Sequence, residues 1–278
     1  NRSDGCEYVF KWHIGEIVFK STDKRIGKPP IVRLLKIDTI DYKEVFSVNR
    51  FTGVKTIQFT SMLSELIEMH KRNLLVIECI KNLIKEKRKI LVLSDRRNHL
   101  KNLNTLLNSD NTVTFTHGLF IGSMKSTDLE KSRSSDVILA SFAAFSEGVS
   151  EKDLDTLILI TPKKYIGHLK NTVKNESFKI EQIVGRIFRK NHIERNPIIL
   201  DFQDNFSVYK NQGNSRKAFY KEHFENGIFE NYSINLDENE DVKIEYIKNN
   251  TKKNTKKESE NVNDVGVNVG GLLITDDV

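Results

Sequence analysis

Between Lys89 and Phe202 the sequence alternates short, continuous apolar runs with polar or amphipathic stretches, and this alternation constrains the fold more than any other feature. Ile90–Leu93, Val113–Phe115, Val137–Ala140, Thr156–Ile160 and Pro197–Phe202 read as strands; Asn98–Leu107, Thr127–Arg133 and Ile180–Arg189 read as helices. Apolar runs without polar alternation belong to strands buried on both faces, as in a mostly parallel sheet covered by helices. The pattern predicts an open α/β sheet over residues 70–205 with helices on both faces.

The flanks read differently. Residues 1–60 predict a small β-rich segment with strands at Tyr8–Trp12, Glu16–Phe19, Ile31–Ile37 and Val45–Val48, divided by turn signals such as Gly27-Lys28-Pro29-Pro30. From residue 61 to 88, Leu63, Leu66, Ile67, Val76, Ile77, Ile80, Leu83 and Ile84 recur at the helical period, closed by the basic stretch Lys85–Lys89. Residues 206–232 predict an aromatic-rich helical extension. Its Phe206, Tyr209, Phe219, Tyr220, Phe224, Phe229 and Tyr232 either pack back onto the domain, the commoner outcome, or stack on bases. The domain is therefore expected over 61–235, followed at 236–278 by a polar tail too poor in large apolar side chains to repay its ordering entropy.

Charge divides along the same line. From Asp237 to Val278 ten acids face six bases, so the remaining body carries 38 bases against 28 acids. A basic body suits a phosphate-bearing partner, although a solvated surface has the same composition. Cys6 and Cys79 lie far apart without a CxxC, which excludes a disulfide framework and a cysteine zinc site and points to a reducing, intracellular setting. The seven histidines share no metal-ligand spacing. No apolar run approaches the roughly 20 residues that span a bilayer, so no membrane partner is expected.

Chemistry concentrates in Gln182-Ile183-Val184-Gly185-Arg186-Ile187-Phe188-Arg189. On a helix, Arg186 and Arg189 share one face, with Gln182 one turn earlier. Gly185 beside them permits close approach of a backbone or a phosphate. Two planar, always-charged guanidinium groups suit the spread negative charge of a transferring γ-phosphoryl group, although a surface helix with two solvated arginines fits the same residues. Upstream, the run Asp136–Ala140 delivers Ser141 at a strand end and is followed by Glu147-Gly148-Val149-Ser150. Ile90–Leu93 likewise ends in Ser94-Asp95-Arg96. Ligands of open α/β sheets bind at the carboxyl ends of strands, where Ser141 with the turn amides, and Arg96, could hold a nucleic-acid phosphate without reading sequence.

In order and spacing, these three blocks resemble motifs IV, V and VI of the second RecA-like lobe of superfamily 2 helicases. The opening Asn1-Arg2-Ser3-Asp4-Gly5, Trp12-His13-Ile14-Gly15, Arg72-Asn73 before a long helix and Leu93-Ser94-Asp95-Arg96 are most similar to the poxvirus-type transcript-release DNA helicases of large DNA viruses. The resemblance covers residues 1–235 and implies a RecA-like sheet preceded by an inter-lobe segment. It implies that Arg186 and Arg189 meet the γ-phosphate and that Gln182 senses the hydrolysis state. Glu147, Gly148, Ser150 and Gly185 would border the nucleotide, while Ser94, Arg96 and Ser141 would touch the nucleic-acid backbone. Relatives often carry Gly-x-Asp where this chain has Gly148-Val149-Ser150, so ribose contact is weakened or rerouted. The implied partners are single- or double-stranded DNA, with RNA also possible, an N-terminal RecA-like lobe and transcription machinery. The implied location is a viral cytoplasmic factory or the virion.

No G-x-x-x-x-G-K-[ST] phosphate loop and no strand-borne Asp-Glu-x-Asp occur in these 278 residues. ATP and Mg2+ are therefore expected to be bound mainly by another lobe, and the start at Asn1 reads as a piece of a longer enzyme. The alternative expectation is a binding or regulatory module that retains this fold without the motor.

Overall fold

The computed structural model describes residues 7–15, 27–39, 42–146, 151, 153–164, 180–236 and 243–247. In chain order its elements are α1 (Glu7–Ile14), β1 (Ile31–Thr39), β2 (Phe46–Val48), β3 (Lys55–Ile57), α2 (Phe59–Glu68), α3 (His70–Lys85), β4 (Ile90–Ser94), α4 (Arg97–Ser109), β5 (His117–Phe120) and α5 (Ser126–Ser134). There follow β6 (Val137–Ser141), α6 (Phe142–Ser146), β7 (Thr156–Leu159), α7 (Ile180–Val184) with a 3-10 turn (Gly185–Phe188), β8 (Ile198–Asp204), α8 (Ser207–His223), β9 (Ile228–Leu236) and β10 (Lys243–Ile247).

Eight strands form one sheet in the order β10-β9-β1-β8-β7-β4-β6-β5, and only the β10–β9 pairing is antiparallel. This is the expected RecA-like, open and mostly parallel α/β sheet. Alternation along the buried strands sends Ile90, Val92, Val137, Leu139, Ile198 and Leu200 to a core under α3 and α4. Their neighbours Leu91, Leu93, Ile138, Ala140, Leu157 and Ile199 face a second core under α6, α7 and α8. A third, smaller core joins Tyr42 and α2 to Tyr209 of α8.

β8 ties these layers together. Asp201 and Asp204 are three residues apart and so project to opposite faces. Asp201 accepts from Arg216 of α8 at 2.8–3.1 Å, and Arg216 also donates to the carbonyls of Lys163 and Phe202. Asp204 accepts twice from Arg72 of α3 at 3.0 Å, while Arg72 caps the β7 end through the Ile160 carbonyl. A third buried arginine, Arg33 of β1, meets its register partner Glu230 on β9 at 2.6 Å.

Several sequence expectations are corrected. Tyr8–Trp12 lies in a helix: these aromatics sit one turn apart and pack edge-to-face at 4.8 Å, a spacing a strand cannot supply. Ile31–Ile37 is no part of a separate β-rich segment but an inner strand of the main sheet, because its two apolar faces are covered by both large cores. The helical stretch after residue 60 breaks at Met69, whose extended backbone separates α2 from α3. The strand expected at Val113–Phe115 forms instead at His117–Phe120. There Thr116 is fixed by the Asp136 carboxylate, and Gly118 lets α5 approach so closely that a Cβ would lie 2.7 Å from the Ser132 Cα. The extension after Phe206 is helical only to His223 and returns as β9, which pairs with β1. Of the polar tail, Lys243–Ile247 form β10; positions 237–242 and 248–278 lie outside the described residues, as does the strand expected at Glu16–Phe19.

Removing one partner of a buried ion pair strands the other charge. Asp204→Ala is therefore expected to lower the unfolding free energy by about 3–5 kcal/mol, read from urea denaturation followed by circular dichroism. A loss below about 1 kcal/mol would show that the Arg72–Asp204 pair does not hold α3 to the sheet.

Candidate functional site

The carboxyl ends of β6, β4 and β7 lie side by side, and Ser94 and Ser141 are register partners at the ends of neighbouring strands. Both hydroxyls are turned inward. Ser141, 6% exposed, accepts the Ala144 amide at 3.3 Å and so caps the first turn of α6. Ser94 is fully buried; its Oγ accepts the Arg96 amide and meets His99 Nδ1 at 3.1 Å. These contacts correct the expectation that the Ser94 side chain reaches a phosphate, whereas Ser141 only accepts here and its O–H is still able to donate. Both hydroxyls shape the turns that carry their neighbours.

Behind Ser94 a polar chain runs inward. His99 Nε2 meets Asn73 Oδ1 at 2.8 Å, and Asn73 Nδ2 donates to the Ile67 carbonyl at the end of α2. Burial, aided by the charge of Arg72, pulls the His99 pKa down to about 3, so the ring is neutral. Arg72 and Asn73, which carried part of the resemblance, thus act as the internal braces of this strand end.

Cations gather outside the turn. Arg96 is half-buried, and its Nε has no hydrogen-bond partner among the described residues. Lys163, just past β7, pairs with Asp95 at 2.8 Å and lies over the Phe142 ring at 5.5 Å, while the Asp95 amide donates to Thr161 Oγ1. Exposed Arg97 rests its guanidinium against Gly122 beyond β5. Lys163 and Arg97 escaped the sequence reading. The signal was present, since both sit where a buried strand gives way to polar residues.

The Gln182–Arg189 block begins as an α-helix but tightens into a 3-10 turn at Gly185. Ile183, Val184 and Ile187 are buried, whereas Gln182 and Arg189 are exposed. Residues three apart eclipse in a 3-10 turn, so Arg186 and Arg189, its C-cap, lie toward one face. The Arg186 pKa is lowered, first by burial and then by the charge of Arg189. Arg186 is seated 5.0 Å above the ring of buried Phe145, in the helix that Ser141 caps. Among the described residues, a Cβ on Gly185 would meet nothing within 4 Å. Glu147, Gly148 and Ser150 lie outside the described residues.

Two surfaces result: a cationic row along the strand ends, and a paired-arginine turn joined to it through Phe145 and α6. The first can neutralise a phosphodiester backbone, the second a compact polyanion. Among the described residues there is no cluster of three His, Cys, Asp or Glu side chains able to hold a metal ion, and no helix long and apolar enough to cross a membrane.

No known family profile matches the chain. It is 31% identical over 225 residues to a protein of Acanthamoeba polyphaga mimivirus described, by inference, as an ATP-dependent RNA helicase; the match takes in 79% of this chain and 40% of that protein. The chain thus spans less than half the length of this relative. Among solved structures, it is similar to T4 UvsW (17% identity, TM-score 0.49, 73% of this chain and 41% of that one). It is also similar to Saccharomyces cerevisiae Dbp5 bound to RNA and ADP BeF3 (11% identity, TM-score 0.45, 83% and 49%). With the mostly parallel sheet, the likeness to the viral relative supports a helicase C-terminal-like fold.

The buried neutral His99 makes stability depend on pH. The unfolded chain takes up a proton near pH 6.5 that the folded chain refuses until about pH 3. Stability is therefore full above the unfolded value and falls as pH drops through this window, by on the order of 2 kcal/mol at pH ~5. Denaturation midpoints at neutral and mildly acid pH should separate accordingly, and His99→Gln should reduce the separation. An equal separation in both proteins would contradict the assignment.

Proposed function

We propose that this chain is the C-terminal motor lobe of an ATP-dependent nucleic-acid helicase or translocase, supplying arginine fingers to an ATP held mainly by a second lobe. The observation that carries this reading is the seating of Arg186 over Phe145. It joins the paired-arginine turn to the helix that springs from the strand ends carrying the candidate phosphate contacts.

Arg186 and Arg189 would approach the γ-phosphoryl oxygens, with Arg189, the more exposed, as the finger. Two like charges on one turn repel, and an anion between them turns that repulsion into binding. Gln182, on the same face, would hydrogen-bond between nucleotide and nucleic acid, and Gly185 leaves room for the facing lobe. Glu147, Gly148 and Ser150 would border the nucleotide. Mg2+, which neutralises charge on the β- and γ-phosphates, would be held by the lobe that carries the phosphate loop.

Arg96, with Arg97 and Lys163 beside it, would grip the nucleic-acid backbone while Ser94 and Ser141 set the turns. Such contacts are salt-sensitive and blind to sequence. The mimivirus relative's name brings RNA in as a substrate beside DNA, and the resemblance to the viral transcript-release group brings in a role in viral transcription.

In the complete enzyme, Arg189→Ala is expected to lower the turnover of ATP by roughly a thousandfold or more while single-stranded nucleic acid still binds within about twofold of the parent. Turnover would be measured by phosphate release and binding by anisotropy. Normal hydrolysis with lost binding would overturn the assignment, and no hydrolysis in the parent would favour a binding module.

A further inference from the structure

The β2–β3 hairpin has no part in the motor surfaces, yet it presents apolar side chains to solvent. Its strands pair Phe46 with Ile57, Ser47 with Thr56 and Val48 with Lys55. By alternation one face carries Phe46, Val48, Ile57 and Lys55, and the other carries the Ser47 and Thr56 hydroxyls, 3.0 Å apart. At the tip Phe51 is 98% exposed. The turn beneath it is held firmly. Asn49 Oδ1 accepts the amides of Phe51 and Thr52, the Asn49 carbonyl accepts Gly53, and Gly53 takes the left-handed φ of +67°. At its base the Gln58 amide donates to the Val45 carbonyl, and Val45 and Phe59 pack into the small core around Tyr42 and Tyr209. The hairpin is thus a preformed projection.

From Val45 to Gln58 there is no acidic residue, whereas Arg50 adjoins the tip aromatic and Lys55 stands on the apolar face; both are exposed. A purely apolar partner would bury the Lys55 ammonium without a counter-charge, which is costly. A single-stranded nucleic acid satisfies both features at once, because its bases stack on an aromatic ring and its phosphates pair with Lys and Arg.

We propose that the β2–β3 hairpin is a second nucleic-acid contact, in which Phe51 stacks on an unpaired base while Arg50 and Lys55 hold the flanking phosphates. The inference rests on the nucleic-acid reading given above and adds to it a contact borne by the inter-strand hairpin. It needs no sequence preference, since every base has a stacking face.

The test is fluorescence anisotropy of the whole chain with short oligothymidylate and oligouridylate, together with photocrosslinking of the same oligomers carrying iodouracil. Phe51→Ala should weaken binding roughly 5- to 150-fold, the range for one lost stacked base. Phe51→Trp should retain binding, and the crosslink should map to the hairpin. Arg50→Ala with Lys55→Ala should flatten the slope of log affinity against log salt by about 1.4, the value for two single-strand phosphates. Because these side chains are exposed, thermal unfolding of each variant should match the parent.

Binding that Phe51→Ala leaves within about twofold, without a hairpin crosslink, would overturn the inference and leave the motor reading standing. No oligonucleotide binding by the parent chain would overturn both. A Phe51→Ala effect confined to self-association would overturn it in favour of a protein contact.

Discussion

The arrangement depends first on the two aspartates of β8. A strand buried on both sides normally carries only apolar groups, and Asp201 and Asp204 break that rule in opposite directions. Each is matched by a fully buried arginine from the helix on its side, Arg216 of α8 and Arg72 of α3. Hydrophobic burial is non-directional and would let these helices slide; two-pronged charge pairs fix their register on the sheet. Both arginines also satisfy backbone carbonyls near the β7 end, Arg72 at Ile160 and Arg216 at Lys163. The place where Thr161 and Lys163 leave the sheet is therefore clamped from above and below.

That clamp lies beside the candidate site. The Arg72 helix also carries Asn73, which orients His99, which meets the Ser94 hydroxyl that receives the Arg96 amide. A surface cation is thus positioned by a chain of neutral hydrogen bonds that starts in the core. On the opposite face, Ser141 caps α6 and Phe145 seats Arg186. The candidate binding groups occupy the rim, and the residues that place them are drawn from both sides of the sheet.

Much of this was legible in the sequence because it is local. The runs Ile90–Leu93, Val137–Ala140 and Thr156–Ile160 became buried parallel strands, since continuous apolarity fits no half-exposed strand. The aromatics Tyr209, Phe219, Tyr220 and Phe224 pack inward, the commoner of the two outcomes weighed. What escaped was non-local. Nothing near Ile31–Ile37 announces that its partners lie beyond residue 197, so the strand read as part of an N-terminal segment. Ser94 has the residue type and place of a phosphate ligand, and only the third dimension reveals that its hydroxyl is already used. The tightening at Gly185 is equally invisible, because a 3-10 turn and an α-helix share one apolar pattern over so short a span.

The position of β1 sets an order on the birth of the fold. It is made before both neighbours, β8 and β9, which come about 160 residues or more later, so at roughly 5–20 residues per second it waits on the order of ten to thirty seconds without a partner. During that interval an apolar strand with two open edges and an uncompensated Arg33 emerges from the ribosome. The guanidinium that later closes the ion pair with Glu230 would meanwhile keep the strand hydrated, acting as a gatekeeper during synthesis and as a clasp afterwards.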